Sequence, residues 1–292
     1  MNKAETKAAA IRVSFVSIVS NVVLSVFKLF AGITGSSAAM ISDAVHSVSD
    51  VLSTFIVIAG INIANRSDDK DHRYGHERFE CIASIILAGT LLATGIGIGY
   101  EGIKNIISED RGKLVVPESI ALIAAVVSIL TKEAMYHYTK HTAIKINSGS
   151  LMADAWHHRS DALSSVGSLI GIGGAMLGFP VLDSVFAVVI SAFIVKAAYD
   201  IFKDATDKLV DTSCDEETVG RMREVAAAQS GVIEIDEIKT RLFGSKIYVD
   251  IEIGADKSLT LEEAHRIAES VHESIENNFE NVKHCMVHVN PK

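Results

Sequence analysis

Two nine-residue stretches decide how the chain is read: SDAVHSVSD at residues 42–50 and ADAWHHRSD at residues 153–161. Each lies in an otherwise apolar segment and repeats Asp, His and Asp at the same offsets. The first supplies Asp43, His46 and Asp50, the second Asp154, His157 and Asp161. On an α-helix, offsets of 0, 3 and 7 fall on one face, so each stretch presents a single ionisable stripe. Ionised groups are costly in hydrocarbon; they face a bundle interior or an aqueous cavity and mark the path of an ion or a proton. Ser or Asn would serve as interhelical polar contacts at lower desolvation cost. Two carboxylates and an imidazole per stripe have the donor chemistry of a metal cage.

The surrounding composition supports a membrane setting for these stripes. The 292 residues are 49% hydrophobic, with a mean hydropathy of +0.31. Charge is scarce in long runs over the first two hundred residues and recurs every few positions from Lys203 onward. This predicts a six-helix transmembrane domain over residues 1–205 and a soluble αββαβ domain over residues 206–292. Runs long enough to cross hydrocarbon as helix fall at 12–34, 39–63, 80–106, 115–136, 151–177 and 181–202. The N-terminal MNKAETKAAAIR leads into a run with no small-residue cleavage site and reads as the first span.

Lys and Arg set the orientation. With the N-terminus cytoplasmic, the inner segments carry Lys3, Lys7, Arg12, Arg66, Lys70, Arg73, Arg78, Lys132, Lys140 and Lys145, against Lys104, Arg111 and Lys113 outside. Six spans return the C-terminus to the same side, and the inner 2–3 and 4–5 connections read as long and polar. The expected location is a bacterial inner (plasma) membrane, multi-pass, with both termini cytoplasmic. A net charge of -9 excludes a nucleic-acid partner and suits cations. Cys81, Cys214 and Cys285 form no CxxC pair, which excludes a disulfide framework and a cysteine zinc site. HExxH is absent and no GxSxG accompanies a base, so the chain does not read as an enzyme.

In the tail, EETVGRMREVAAAQS reads as helix, VIEIDEIKTRLF and KIYVDIEIG as alternating strands around a Gly-Ser turn, TLEEAHRIAESVHESIENNF as helix and HCMVHV as a last strand. The order αββαβ is an open-faced α+β sandwich with its helices on one face of the sheet. In the inner loop SDDKDHRYGHERFE, Asp69, His72 and His76 stand at spacings of 3 and 4 around Gly75, three donors suited to a zinc with an open fourth position.

Two His nitrogens and two Asp oxygens suit tetrahedral Zn²⁺, whereas Mg²⁺ wants an all-oxygen octahedron. Neutral His and ionised Asp bind metal, and protonation releases it, so metal and proton compete for one site. With these motifs in place the whole chain resembles the cation diffusion facilitators, proton-coupled divalent metal exporters. The resemblance implies a ferredoxin- or metallochaperone-like tail, a homodimer, no required cofactor, and transport ligands at His46, Asp50, His157 and Asp161. It also implies a second metal site at Asp69, His72 and His76, and tail ligands at Asp236, Asp250, His265 and His288. In the tail Asn290 stands where a carboxylate is common, with His284 and Cys285 nearby. The His-Asp-His-Asp set resembles that of vacuolar and vesicular zinc transporters, while manganese members usually carry Asn at the first position. A Zn²⁺/H⁺ antiporter is the reading this supports. A Mn²⁺ or Fe²⁺ exporter on the same scaffold and a non-transporting, membrane-tethered zinc sensor are the alternatives. Asp43 and Asp154 lie outside the four-ligand set and are open to a role as entry and exit relays or to one as hydrogen-bonded bundle carboxylates. His158, one residue off the stripe, reads as a packing or supporting residue.

Overall fold

The computed structural model describes residues 3–34, 38–107, 119–176 and 181–292. Two compact units divide the chain, Met1–Ala205 and Thr206–Lys292. The first is helical, built from α1 (Lys3–Thr34), α2 (Ala38–Ala64), α3 (Arg78–Ile107), α4 (Ser119–Ile146), α5 (Gly149–Met176) and α6 (Val181–Leu209). Among the described residues, Glu5–Ala31 and Arg78–Lys104 are long and apolar enough to cross a membrane by length and composition.

Helix α1 shows why this unit suits lipid. Its buried face carries Ser14, Ser17, Asn21, Ser25 and Lys28, all 7% exposed or less, while Phe15, Val23, Val26 and Phe30 are each more than 60% exposed. That polarity is the reverse of a water-soluble bundle and is the arrangement hydrocarbon favours, with polar groups turned inward. Lys28 Nζ donates to Ser47 Oγ of α2 at 2.9 Å, and Ser25 Oγ donates back to the Asn21 carbonyl at 2.8 Å.

The inner connection expected between the fourth and fifth spans is instead mostly helix. Helix α4 has 28 residues, about 42 Å at the α-helical rise, which exceeds the roughly 30 Å of a hydrocarbon core. Residues 137–146 hold no Gly or Pro to stop it, so it runs on to Ile146. There Asn147 takes a left-handed conformation (φ 52°), its N–H bonds the Ile144 carbonyl at 3.3 Å and the Ser148 N–H bonds that of Ala143 at 2.9 Å. This is a Schellman stop, and it leaves two residues, Asn147 and Ser148, before α5. Ser148 Oγ donates to the Glu80 carboxylate of α3, which anchors the turn.

The second unit contains α7 (Glu216–Ala227), β1 (Glu234–Phe243), β2 (Lys246–Ala255), α8 (Leu261–Asn278) and β3 (Val282–Pro291). The sheet order is β1-β2-β3, antiparallel between β1 and β2 and parallel between β2 and β3. Phe243 pairs with Lys246 across the two-residue turn Gly244-Ser245, and the positive φ of Gly244 (64°) is the conformation such a hairpin requires. Val249, Ile251 and Ile253 pack with Met222, Ala226, Val271 and Ile275 from the two helices, so alternation along β2 turns Asp250 and Glu252 to the open face. Helix α8 begins with a capping box: Thr260 Oγ1 accepts from the Glu263 N–H and Glu263 Oε2 accepts from the Thr260 N–H.

Candidate metal centre

Within the helical unit, α2 and α5 bring Asp50, His157 and Asp161 together, with one donor atom from each lying within 4.8 Å of the others. Asp50 is 1% exposed, and its Oδ1 lies 3.1 Å from His157 Nε2. The backbone of His46 lies one helical turn earlier on α2; its side chain and that of Asp43 lie outside the described residues, as do Arg111 and Lys113.

One group in this cluster comes as a correction. Lys132, counted above with the inner loop charges, is buried on α4 and bridges the two carboxylates. Its Nζ donates to Asp50 Oδ2 at 2.5 Å and to Asp161 Oδ2 at 2.9 Å. The cause is electrostatic: two carboxylates held in a dry interior need a counter-charge, and a buried ammonium equally needs them. A lone lysine inside the apolar run ALIAAVVSILTKEAM was the available signal, since an intramembrane charge implies a partner. With the imidazole neutral the four groups carry a net charge of -1, an arrangement that attracts a divalent cation able to displace the ammonium.

A second polar layer backs the first. Asp154 and His158 are fully buried on α5. His158 Nε2 lies 3.0 Å from Ser17 Oγ of α1 and 3.6 Å from Asp154 Oδ2. The Thr54 hydroxyl faces both the Asp50 carbonyl at 3.2 Å and Asp154 Oδ1 at 3.4 Å, which links the two layers through α2.

The loop after α2 gathers its three residues. Asp69 Oδ1 accepts from the backbone N–H of His72 at 2.7 Å and of Asp71 at 3.0 Å, and the His72 hydrogen bond holds the Asp69 carboxyl below its usual range. Asp69 Oδ1 lies 3.4 Å from His72 Nδ1 and Oδ2 lies 3.3 Å from His76 Nε2. Gly75 makes the turn at φ 95°, with its N–H on the His72 carbonyl at 3.0 Å. Oxygen and imidazole donors thus converge on one side of the loop.

The four tail positions fare differently. Asp236 is the extra residue of a bulge in β1, and its carboxylate is occupied by Lys292 Nζ and Asn290 Nδ2, each at 2.8 Å; these hydrogen bonds hold its carboxyl below the usual range. Asp250 and His288 lie on neighbouring strands, with Asp250 opposite Met286 and Glu252 opposite His288. His265 is exposed on α8, which packs on the other face. Among the described residues of the single chain these four do not form a cluster of donors. Cys285 is 1% exposed in the core, and burial, then Glu276 and Asp250, push its thiol up to about 12.

Among the described residues, six long helices, of which α2, α4 and α5 form a buried carboxylate-imidazole-ammonium centre, precede an αββαβ unit, the architecture of a membrane protein with a candidate metal centre. Residues 14–210 match the family model of the cation efflux transmembrane domain, and residues 214–292 that of the cation efflux protein cytoplasmic domain. The chain belongs to the cation diffusion facilitator family, a family of membrane transporters that move divalent metal cations out of the compartment they serve. It is similar to an uncharacterized transporter of Methanocaldococcus jannaschii, at 34% identity over 94% of this chain and 95% of that one. It is also similar to the manganese efflux system protein MneP of Bacillus subtilis, at 29% identity over 96% of this chain and 95% of that one. Among solved structures, a variant of the MamM CTD in a cadmium form covers 26% of this chain and 95% of its own, at 27% identity and a TM-score of 0.26.

Proposed function

We propose that the chain is a zinc exporter that works as a homodimer, binds Zn²⁺ at His46, Asp50, His157 and Asp161, and exchanges it for H⁺ by alternating access across the plasma membrane. The observation that carries this reading is the convergence of Asp50, His157 and Asp161 in the interior of the helical unit. Mixed imidazole and carboxylate donors suit a borderline cation such as Zn²⁺. Coupling follows from the same donors, because a proton on His157 or on either Asp removes a ligand. Lys132 adds a second competitor: when metal leaves, its ammonium is positioned to neutralise Asp50 and Asp161. The dimer is supported by the match of residues 214–292 to the family's cytoplasmic domain, whose model carries the name ZT_dimer.

In proteoliposomes carrying a pH gradient, His157→Ala and Asp50→Ala are each expected to abolish Zn²⁺ flux. Wild-type-like flux from either variant would refute the site. Manganese is the second reading, favoured by the similarity to MneP. A tenfold excess of Mn²⁺ that suppresses Zn²⁺ flux, with Mn²⁺ itself transported faster, would decide for it.

A further inference from the structure

The tail carries a cluster of donors, His272, Glu276 and His284, that includes none of Asp236, Asp250, His265 and His288. We propose that His272, Glu276 and His284 form a surface site for a borderline divalent metal ion of the Zn²⁺ class, tying the end of α8 to the start of β3.

The three donors are spaced as the ligands of one ion would be. His272 Nε2 lies 3.4 Å from Glu276 Oε1, and His284 Nδ1 lies 3.5 Å from the same oxygen. Both separations exceed hydrogen-bond length. Two ligands bound at about 2.0–2.1 Å in a tetrahedral zinc site stand about 3.4 Å apart, the spacing found here. All three donor atoms lie within 4.8 Å of one another.

The donors are also oriented. His272 and Glu276 are four residues apart on α8 and therefore neighbours on its surface. His272 Nδ1 lies 2.7 Å from the Cys285 carbonyl, which can only accept, so Nδ1 carries the proton and neutral His272 offers its Nε2 lone pair to the cluster. A backbone carbonyl on the far ring nitrogen is the usual support of a metal-binding imidazole. The Cys285 N–H donates to Glu276 Oε1 at 3.0 Å. One buried residue, Cys285, thus positions two of the three donors through its backbone, and the core holds it in place. Side-chain exposures of 29%, 32% and 47% for His272, Glu276 and His284 let an ion enter from water and keep water as a fourth ligand.

The site is independent of the transported ion and of the transport reading. The test uses the purified full chain in detergent with Zn²⁺ as probe, equilibrium dialysis to count bound equivalents, and hydrogen exchange to locate them. His284→Ala and Glu276→Gln are each expected to lose one Zn²⁺ equivalent per chain. Each is also expected to lose the zinc-dependent slowing of amide exchange over residues 272–286 seen in the wild type. Glu276→Gln keeps an oxygen for the Cys285 N–H, so it retains the metal-free fold and its exchange pattern. An unchanged count of equivalents in Glu276→Gln, or the absence of zinc-dependent protection at residues 272–286 in the wild type, overturns the proposal. Zn²⁺ flux, read separately in proteoliposomes, tests the intramembrane site and has no bearing on this count.

Discussion

Replacing Lys132 with Met tests how the intramembrane centre balances its charge. The ammonium lies 2.5 Å from Asp50 Oδ2 and 2.9 Å from Asp161 Oδ2. At about 3 Å and an effective dielectric of about 20, each attraction is on the order of 5 kcal/mol before desolvation is counted. Removing the cation while its partners stay buried costs about 3–5 kcal/mol net. That is the free energy an incoming divalent ion must overcome when it displaces Lys132 in the wild type. In Lys132→Met it returns as affinity, less the part offset by protonation of a freed carboxylate. The metal-free variant is expected to unfold at lower temperature than the wild type. Its Zn²⁺ affinity at this site should be about ten- to a hundred-fold tighter, since about 1.4 kcal/mol is a factor of ten. Competition with a chromophoric chelator measures that affinity in detergent, and Lys132→Met/Asp161→Asn isolates the intramembrane component. An Asp161-dependent affinity that is unchanged or weaker would refute the displacement argument.

Other outcomes follow from single features. Asp154→Asn keeps the shape of a fully buried group and its Thr54 contact, so it is expected to alter the rate of Zn²⁺ flux several-fold while binding affinity stays within about threefold. Proteoliposome flux and chelator competition separate the two, and a large loss of affinity would make Asp154 a ligand. Gly75→Ala forces a side chain into φ 95°, a strain of about 1–3 kcal/mol, which should raise amide exchange across residues 69–76 and weaken Zn²⁺ binding there; unchanged exchange would deny the turn its role. The Cys285 thiol, pushed up to about 12 by burial, should resist maleimide at pH 8 in the native chain and react once unfolded. Native labelling of Cys285 at the rate of a free thiol would contradict the packing of β3.

The α5 stripe was legible because helical periodicity is local: offsets of 3 and 7 from Asp154 bring His157 and Asp161 to one face whatever the tertiary structure. The strand alternation of β2 was legible for the same reason, with Val249, Ile251 and Ile253 facing the helices. Lys132 was not, because its partners stand 82 and 29 residues away and a lysine near a span end reads equally well as a topology marker. The run-on of α4 was missed because hydropathy ends where the apolar residues end, whereas the helix ends only where Asn147 can turn it. In the tail, the ligand positions came from the resemblance alone, and neither the bulge at Asp236 nor the face that α8 covers is written in a local pattern. The convergence of His272 with His284 depends on the return of β3 beside β2, a parallel pairing that no local pattern announces.

The Schellman stop at Asn147 has a mechanical consequence. With two residues between them, α4 and α5 form a stiff hairpin, and that hairpin carries Lys132, His157 and Asp161 as one jaw. Asp50 belongs to α2 and forms the other jaw. Any motion that swings α2 away from the hairpin must open the Lys132–Asp50 and His157–Asp50 contacts together, while the Lys132–Asp161 pair travels intact. Among the described contacts, the same swing would also part Thr54 from Asp154, so α2 would act as one moving jaw with Asp50 and Thr54 as its teeth.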